Sequence, residues 1–330
     1  MSSTRYDVVG IGNAIVDVLS HAEEAFLAAH DLNKGSMTLI DMARAESLYG
    51  DMGPAQEASG GSAANTLAGL AALGGGGAFL GKVRNDQLGG IFRHDLRASG
   101  VDYNTAPASE GDPTARCLIF VTPDAQRTMA TYLGASIAFG PDDLDLETVR
   151  AGMVLYLEGY LWDSDPAREA FRLAAEAARE AGRKVALTLS DPFCVDRHRA
   201  SFRELVDGHV DLLFANESEI VSLYETQDFD EALTQVRGRV EVAALTRSEK
   251  GSVILSGDAV ETIEAVTVGP LTDTTGAGDL YAAGFLYGYT QGRSLADCGR
   301  LGAIAAGEAV SHMGPRPARD LKALVAEHMK

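Results

Sequence analysis

From Thr66 onward, short apolar runs alternate with amphipathic stretches of helical length. The runs at 8–11, 78–80, 154–157, 185–189, 212–215, 242–246 and 253–255 are apolar at nearly every position, as strands buried on both faces are. Helices are predicted over 66–73, 88–99, 166–181, 217–224, 277–289, 294–312 and 318–328. Glycines at 74–77, 100 and 182 stand just past predicted helix ends, where a left-handed residue closes the last turn. Strand–helix–strand order implies an α/β three-layer sandwich with a mainly parallel central sheet. Residues 13–50 and 113–135 break the order. They hold half-polar strands, including 36–39, 116–121 and 127–133, a short helix at 23–30, and a turn at Thr122-Pro123-Asp124-Ala125. These segments are expected to pair into one small β-sheet that covers the open edge of the main layer as a lid. No repeat or low-complexity linker divides the chain, so residues 1–330 are expected to form one domain with its lid.

Composition narrows the function classes. A length of 330 residues suits one large α/β domain or two modest ones, and 46% apolar with 23% charged residues fits a globular protein. The net charge of −19 repels nucleic acid and anionic membrane surfaces, so neither is expected as a partner. The same field opposes phosphate, so a nucleotide site needs local amides, basic side chains or a metal. Cys117, Cys194 and Cys298 are odd in number and far apart, with no disulfide or metal spacing. The start, Met-Ser-Ser-Thr-Arg-Tyr-Asp, carries no signal-peptide pattern, and no apolar run reaches membrane-spanning length. A cytoplasmic location is the expectation.

Residues 272–284, Thr-Asp-Thr-Thr-Gly-Ala-Gly-Asp-Leu-Tyr-Ala-Ala-Gly, carry the clearest chemistry. The amides of Gly276, Ala277 and Gly278 lie where a polar loop becomes a helix. Amides there lack intrahelical partners and can hold an anion. Asp279 follows in the first turn. A carboxylate repels a phosphate, so its presence makes sense if it takes a proton from a hydroxyl while the amides hold the phosphoryl group in transfer. The plainer reading is a helix-capping Asp with packing glycines.

Other clusters have competing readings. Gly10-Ile-Gly12-Asn-Ala-Ile15 starts like a dinucleotide fingerprint, but Ile15 stands where its third glycine belongs. Asn13 and Asp17 follow the first strand, where α/β sheets place ligand groups, and Asp17 could take two hydrogen bonds from a vicinal diol; an Asx turn is the alternative. Gly76–Lys82 nearly spells a P-loop, but Val83 replaces the Ser/Thr and the order of elements is wrong, so it is set aside. Gly60-Gly61-Ser62-Ala63-Ala64-Asn65 opens a helix with a hydroxyl and an amide side chain, suited to a polyol or to a simple N-cap. Asn216 and Glu219 follow an apolar strand. They could order a magnesium ion through water or merely cap the next helix.

Taken together, Asp273–Asp279 with Ala282-Ala283-Gly284-Phe285 resembles the C-terminal signature of the ribokinase-like (PfkB) family of carbohydrate and nucleoside kinases. The resemblance extends over roughly residues 6–317. It implies Asp279 as catalytic base, with the amides of Gly276, Ala277 and Gly278 as anion hole. It implies Asn13, Asp17, Gly61, Ser62, Asn65 and Arg127 as substrate-binding residues. It also implies Asn216, Glu219, Thr246, Arg247, Gly251 and Thr275 at the nucleotide and its phosphates, and ATP with magnesium, ordered by Asn216 and Glu219 through water; potassium is left open. Leu189-Ser-Asp-Pro-Phe193 and Leu213-Phe-Ala-Asn-Glu-Ser-Glu219 are similar to adenosine-kinase segments, and Arg127 resembles their lid arginine. Thr275 and Asp191 depart from the animal pattern, which has Asn and Ala there. The expected reaction is ATP-dependent phosphorylation of a primary hydroxyl, foremost the 5′-hydroxyl of adenosine, with a ribokinase- or fructokinase-like sugar kinase as the alternative. A non-catalytic nucleoside sensor is a further alternative, which an intact Asp279 disfavours. A monomer or a lid-mediated homodimer is expected.

Overall fold

The computed structural model describes residues 4–124 and 126–329. Met1–Ser3, Lys330 and Ala125 of the expected turn lie outside the described residues. The strands in chain order are β1 (Tyr6–Ile11), β2 (Ile15–His21), β3 (Met37–Leu39), β4 (Ala55–Gly60), β5 (Gly77–Leu80), β6 (Val101–Tyr103), β7 (Ala115–Val121), β8 (Arg127–Tyr132), β9 (Gly152–Glu158), β10 (Lys184–Thr188), β11 (Leu212–Asn216), β12 (Val242–Thr246), β13 (Ser252–Ser256) and β14 (Ala259–Ile263).

Nine of them form one sheet in the order β14-β13-β12-β11-β10-β9-β1-β5-β6. It is parallel from β12 to β6, and β13 and β14 join antiparallel at one edge. Alternate residues of its strands enter separate cores. Val9, Ile11, Leu155, Leu157, Val185, Leu187 and Leu213 pack with the helices Asp165–Glu180, Pro192–His209, Glu217–Tyr224 and Phe229–Val236. Val8, Val154, Tyr156, Ala186, Leu212 and Phe214 pack with the helices Ser62–Leu73, Gln87–Ala98 and Ala277–Thr290. Burial on both faces is why these strands read as unbroken apolar runs. The three-layer α/β sandwich is therefore present.

The smaller sheet has the order β3-β8-β7-β2-β4. It is wider than expected, because β4 lies beyond the 13–50 segment. Two of its inner strands, β2 and β7, pair in parallel, joining Ile15 with Ala115 and His21 with Val121 across nearly a hundred residues of sequence. Only residues 12–14 separate β1 from β2, so the two sheets meet at that turn.

Several elements differ from the sequence expectation. The helix predicted from Thr66 starts at Ser62, which puts Ser62 and Asn65 in its first turn. Helices at Met42–Asp51, Pro192–His209 and Phe229–Val236 were not expected; the second bends at His198, where φ is −125°. The helix predicted to reach His312 ends at Ala309, and the segment beyond it brings Pro315 against Gly276 and Arg316 against Ser59. Among the described residues no helix is long and apolar enough to cross a membrane.

Candidate active site

Two helix N-termini face each other beside the β1–β2 turn. The helix Ala277–Thr290 is capped by Gly276 in the left-handed conformation, with φ 76°. A Cβ on Gly276 would lie 2.6 Å from Pro315 Cβ, so backbone and packing both require glycine. Gly278 is different: a Cβ there would meet no protein atom within 4 Å. Nothing in the fold requires a bare backbone at that position, and the space beside its Cα is open.

The opposing helix, Ser62–Leu73, is capped by Gly61 at φ 89°, where a Cβ would fall 2.3 Å from the Asn13 carbonyl oxygen. Its first turn holds Asp279: Ser62 Oγ donates to Oδ1 at 2.6 Å and Asn65 Nδ2 to Oδ2 at 3.0 Å. Desolvation raises the Asp279 carboxyl above the ordinary carboxylate range, while Ser62, Asn65 and the charge of Arg316 act against the rise.

Asp17, on β2, is buried beside them. Its carboxyl is pushed up to about 7 by desolvation, against Arg316 and Arg127 and with Asp279 reinforcing the rise. Gly60 leaves it room, since a Cβ there would lie 2.4 Å from Asp17 Cγ. Asn13 is fixed by Glu158, the last residue of β9. Glu158 Oε1 accepts from the Asn13 amide at 3.2 Å and from Asn13 Nδ2 at 2.9 Å; Oε2 accepts from the Ala63 amide at 2.8 Å. Desolvation still pushes Glu158 up to about 7. Asn13 Oδ1 and Asn65 Oδ1 are buried acceptors without a protein partner. Such groups normally find a donor, and hydroxyls are suitable ones.

Arg127 opens β8 and forms a buried ion pair with Asp273. Asp273 Oδ1 also accepts from the Thr275 amide at 3.0 Å, and Oδ2 from the Gly314 amide at 2.9 Å. Asp273 thereby shapes the loop that leads into Gly276 and ties it to the smaller sheet.

The remaining expected residues lie at the neighbouring strand ends. Asn216 ends β11 and pairs in register with Thr246 at the end of β12. Asn216 and Glu219 form a reciprocal cap. Asn216 Oδ1 accepts from the Glu219 amide at 2.9 Å, while the Asn216 amide and Nδ2 donate to the Glu219 carboxylate at 2.9 and 2.6 Å. Desolvation, with Asp191 and Asp279 adding to it, pushes Glu219 up to about 7. Among the described residues no group of three or more His, Cys, Asp or Glu is placed to hold a metal. Arg247 donates to Glu217 at 3.0 Å and lies 4.1 Å from the Phe229 ring centroid. Gly251 has φ 83° and a Cβ there would sit 2.0 Å from the Ile263 carbonyl oxygen, so its conformation alone accounts for glycine.

Two charged residues of this cluster were not singled out from the sequence. Glu158 had a signal, a lone acid at the C-terminal end of an apolar strand, where α/β proteins gather ligand groups. Arg316 had only its setting between Pro315 and Pro317.

Comparison with known proteins agrees with this architecture. The family model described as pfkB family carbohydrate kinase matches residues 37–321. A crystal structure of a probable sugar kinase from Rhizobium etli CFN 42 is 52% identical, covers 98% of each chain and superposes with a TM-score of 0.94. The adenosine kinase of Sinorhizobium meliloti is 51% identical over 98% of this chain and 99% of its own, with a TM-score of 0.93. Adenosine kinase of Dictyostelium discoideum is 26% identical over 92% of this chain and 94% of its own. A carboxylate held between two facing helix starts, beside the open space at Gly278, is thus set in the fold of known kinases, and the chain belongs to the pfkB family as an ATP-dependent sugar or nucleoside phosphotransferase.

Proposed function

We propose that the enzyme transfers the γ-phosphoryl group of ATP to the 5′-hydroxyl of adenosine, giving AMP and ADP. The observation that carries the phosphoryl-transfer geometry is the pairing of Asp279 with the open space at Gly278. Asp279 is held from the opposite helix by Ser62 and Asn65, so its carboxylate can face a substrate hydroxyl. Its raised pKa brings it toward the operating pH, which makes it a stronger base than an ordinary aspartate. The amides of Gly276 and Gly278 receive the charge on the transferring phosphoryl group; the Ala277 amide, expected with them, donates instead to the Thr274 carbonyl oxygen at 3.3 Å. Asp17, Asn13, Gly61 and Asn65 hold the ribose. The unpartnered Asn13 Oδ1 and Asn65 Oδ1 accept from its hydroxyls. Thr275 and the strand-end residues Asn216, Glu219, Thr246 and Arg247 lie toward the nucleotide, and the smaller sheet excludes water that would otherwise accept the phosphoryl group.

Magnesium fits this site only indirectly. Asn216 and Glu219 satisfy each other, so they would order the ion through water. When bound, it would neutralise phosphate charge.

Support for adenosine over a free sugar comes from the 51% identity to the Sinorhizobium meliloti adenosine kinase across nearly the whole of both chains. The 52% identity to the Rhizobium etli probable sugar kinase keeps the sugar-kinase reading in the test. ADP release is measured with adenosine, ribose and fructose side by side. The expected kcat/KM for adenosine is at least about a hundred-fold higher, because a purine adds binding that a bare sugar cannot supply. Equal or faster turnover of ribose or fructose would overturn the assignment.

A further inference from the structure

Arg316 sits in the segment that follows the helix Leu295–Ala309, far in sequence from every other residue of the site. Its fork is laid across the approach to the substrate helix. Nε and Nη2 donate to the Ser59 carbonyl oxygen at 3.2 and 3.0 Å, Nη2 also to Ser59 Oγ at 3.0 Å, and Nη1 to the Ala64 carbonyl oxygen at 2.9 Å. These partners are all neutral. The gripped residues flank the ones that hold the catalytic carboxylate: Ser59 precedes Gly60, Gly61 and Ser62, and Ala64 precedes Asn65. Ser59 is held from its other side as well, since its amide donates to Asp95 Oδ2 at 2.9 Å. The preceding residue, Pro315, packs against Gly276 at the head of the anion loop. One dipeptide therefore braces both facing helix starts.

We propose that Arg316 is a positioning residue of the transfer reaction: it fixes the Ser62–Asn65 cradle and presents to Asp17 and Asp279 a guanidinium charge that, among the described residues, no contact ion pair consumes. The proposal rests on the reading of Asp279 as base. It answers a specific need in this protein. Further carboxyls lie within the field of Asp279: Asp17 on β2, Glu158 at the end of β9, and Glu219 in the helix after β11. The charge of Asp279 pushes each of these carboxyls upward, and Tyr156 and Tyr160 beside them bring no positive charge. Arg316 is the cation whose field acts on Asp279, and it shares with Arg127 the field on Asp17. The effect is reciprocal. Desolvation lowers the guanidinium to about 10, and Asp17, Asp95 and Asp279 hold it up, so the charge persists at neutral pH.

The test uses the full-length enzyme with Arg316→Lys and Arg316→Met. Melting curves and kcat, KM and their pH profiles are recorded for each, alongside Asp279→Asn. Arg316→Met is expected to lower kcat at pH 7 at least about tenfold and to move the acid limb of the profile up by about one pH unit or more. Arg316→Lys keeps a charge but loses the fork; its acid limb should stay close to that of the parent while kcat falls less. A folded Arg316→Met protein with an unmoved acid limb and parental kcat overturns the proposal. So does failure of both variants to give a cooperative melt, which would make Arg316 a folding residue. If Asp279→Asn itself turns over normally, the reading of the base has failed; if Asp279→Asn is inactive and the Arg316 profiles are unchanged, only the Arg316 inference has failed.

Discussion

Gly278→Ala separates what the fold requires at the anion loop from what the chemistry requires. The position lies in the first turn of the helix Ala277–Thr290, and the added Cβ meets no protein atom within 4 Å. Alanine in place of glycine in a helix contributes up to about 1 kcal/mol through the unfolded chain's lost freedom. For a chain of this length that is a rise in Tm of no more than about 2 °C. The methyl group projects into the open space where the phosphoryl oxygens are proposed to lie. It displaces them by roughly an ångström, and a misplacement of that size costs on the order of a hundred-fold in rate. The expected variant is therefore as stable as the parent, or slightly more so, with kcat reduced about a hundred-fold and a higher KM for ATP. Gly276→Ala is the internal control. It forces a side chain into φ 76° and within 2.6 Å of Pro315, so it should melt lower as well as lose activity. The assay is ADP release at varied ATP together with thermal melting. A folded Gly278→Ala enzyme with parental kcat and parental KM for ATP would show that the phosphoryl group does not lie against this amide.

Asp279→Asn keeps the size of the side chain and sheds a desolvated charge. Stability should change by no more than about 1 kcal/mol while kcat falls by about 10²–10⁴, and normal turnover in a folded variant would remove the proposed base. Asp17→Ala should raise the substrate KM about ten- to a hundred-fold with little effect on ATP, since it removes a carboxyl proposed to bond hydroxyls remote from the reacting one; an unchanged substrate KM would place Asp17 away from the sugar. Arg127→Leu strands the buried Asp273 carboxylate and should cost roughly 3–5 kcal/mol in denaturant unfolding, whereas Arg127→Leu combined with Asp273→Asn should cost clearly less. Glu158 is pushed up to about 7 in the folded protein from a usual 4.5, so between those values the native state binds more protons than the unfolded chain. Its contribution to stability must fall as pH rises through that window, as must those of Asp17 and Glu219. The ligand-free enzyme should melt lower at pH 8 than at pH 6, and Glu158→Gln should flatten that slope; a melting temperature that rises across this range refutes the assigned directions.

Sequence by itself determined the layered sheet and the local motifs. Strands buried on both faces must be apolar throughout, and glycine at 276 answers a positive φ. The free amides of a helix start are likewise a property of a few consecutive residues. Such features depend on near neighbours, so they can be read without the fold. Elements that lean on distant partners could not be read in this way. β4, Ala-Gln-Glu-Ala-Ser-Gly, has no apolar run and is a strand because β2 pairs with it. The helix Pro192–His209 bends at His198, and between its buried Val195 and Phe202 it carries Asp-Arg-His-Arg-Ala-Ser, so the apolar signal is interrupted in mid-helix. Asn216 and Glu219 were expected at magnesium or as a cap, and it is the structure that turns them toward each other. The surroundings of Asp279 belong wholly to tertiary structure. Ser62 and Asn65 come from one helix, Asp17 from the smaller sheet, Glu158 from a strand end and Arg316 from the C-terminal segment. The raised carboxyl pKa values follow from these groups being desolvated together, and desolvation is a property of the packed molecule and of no residue alone.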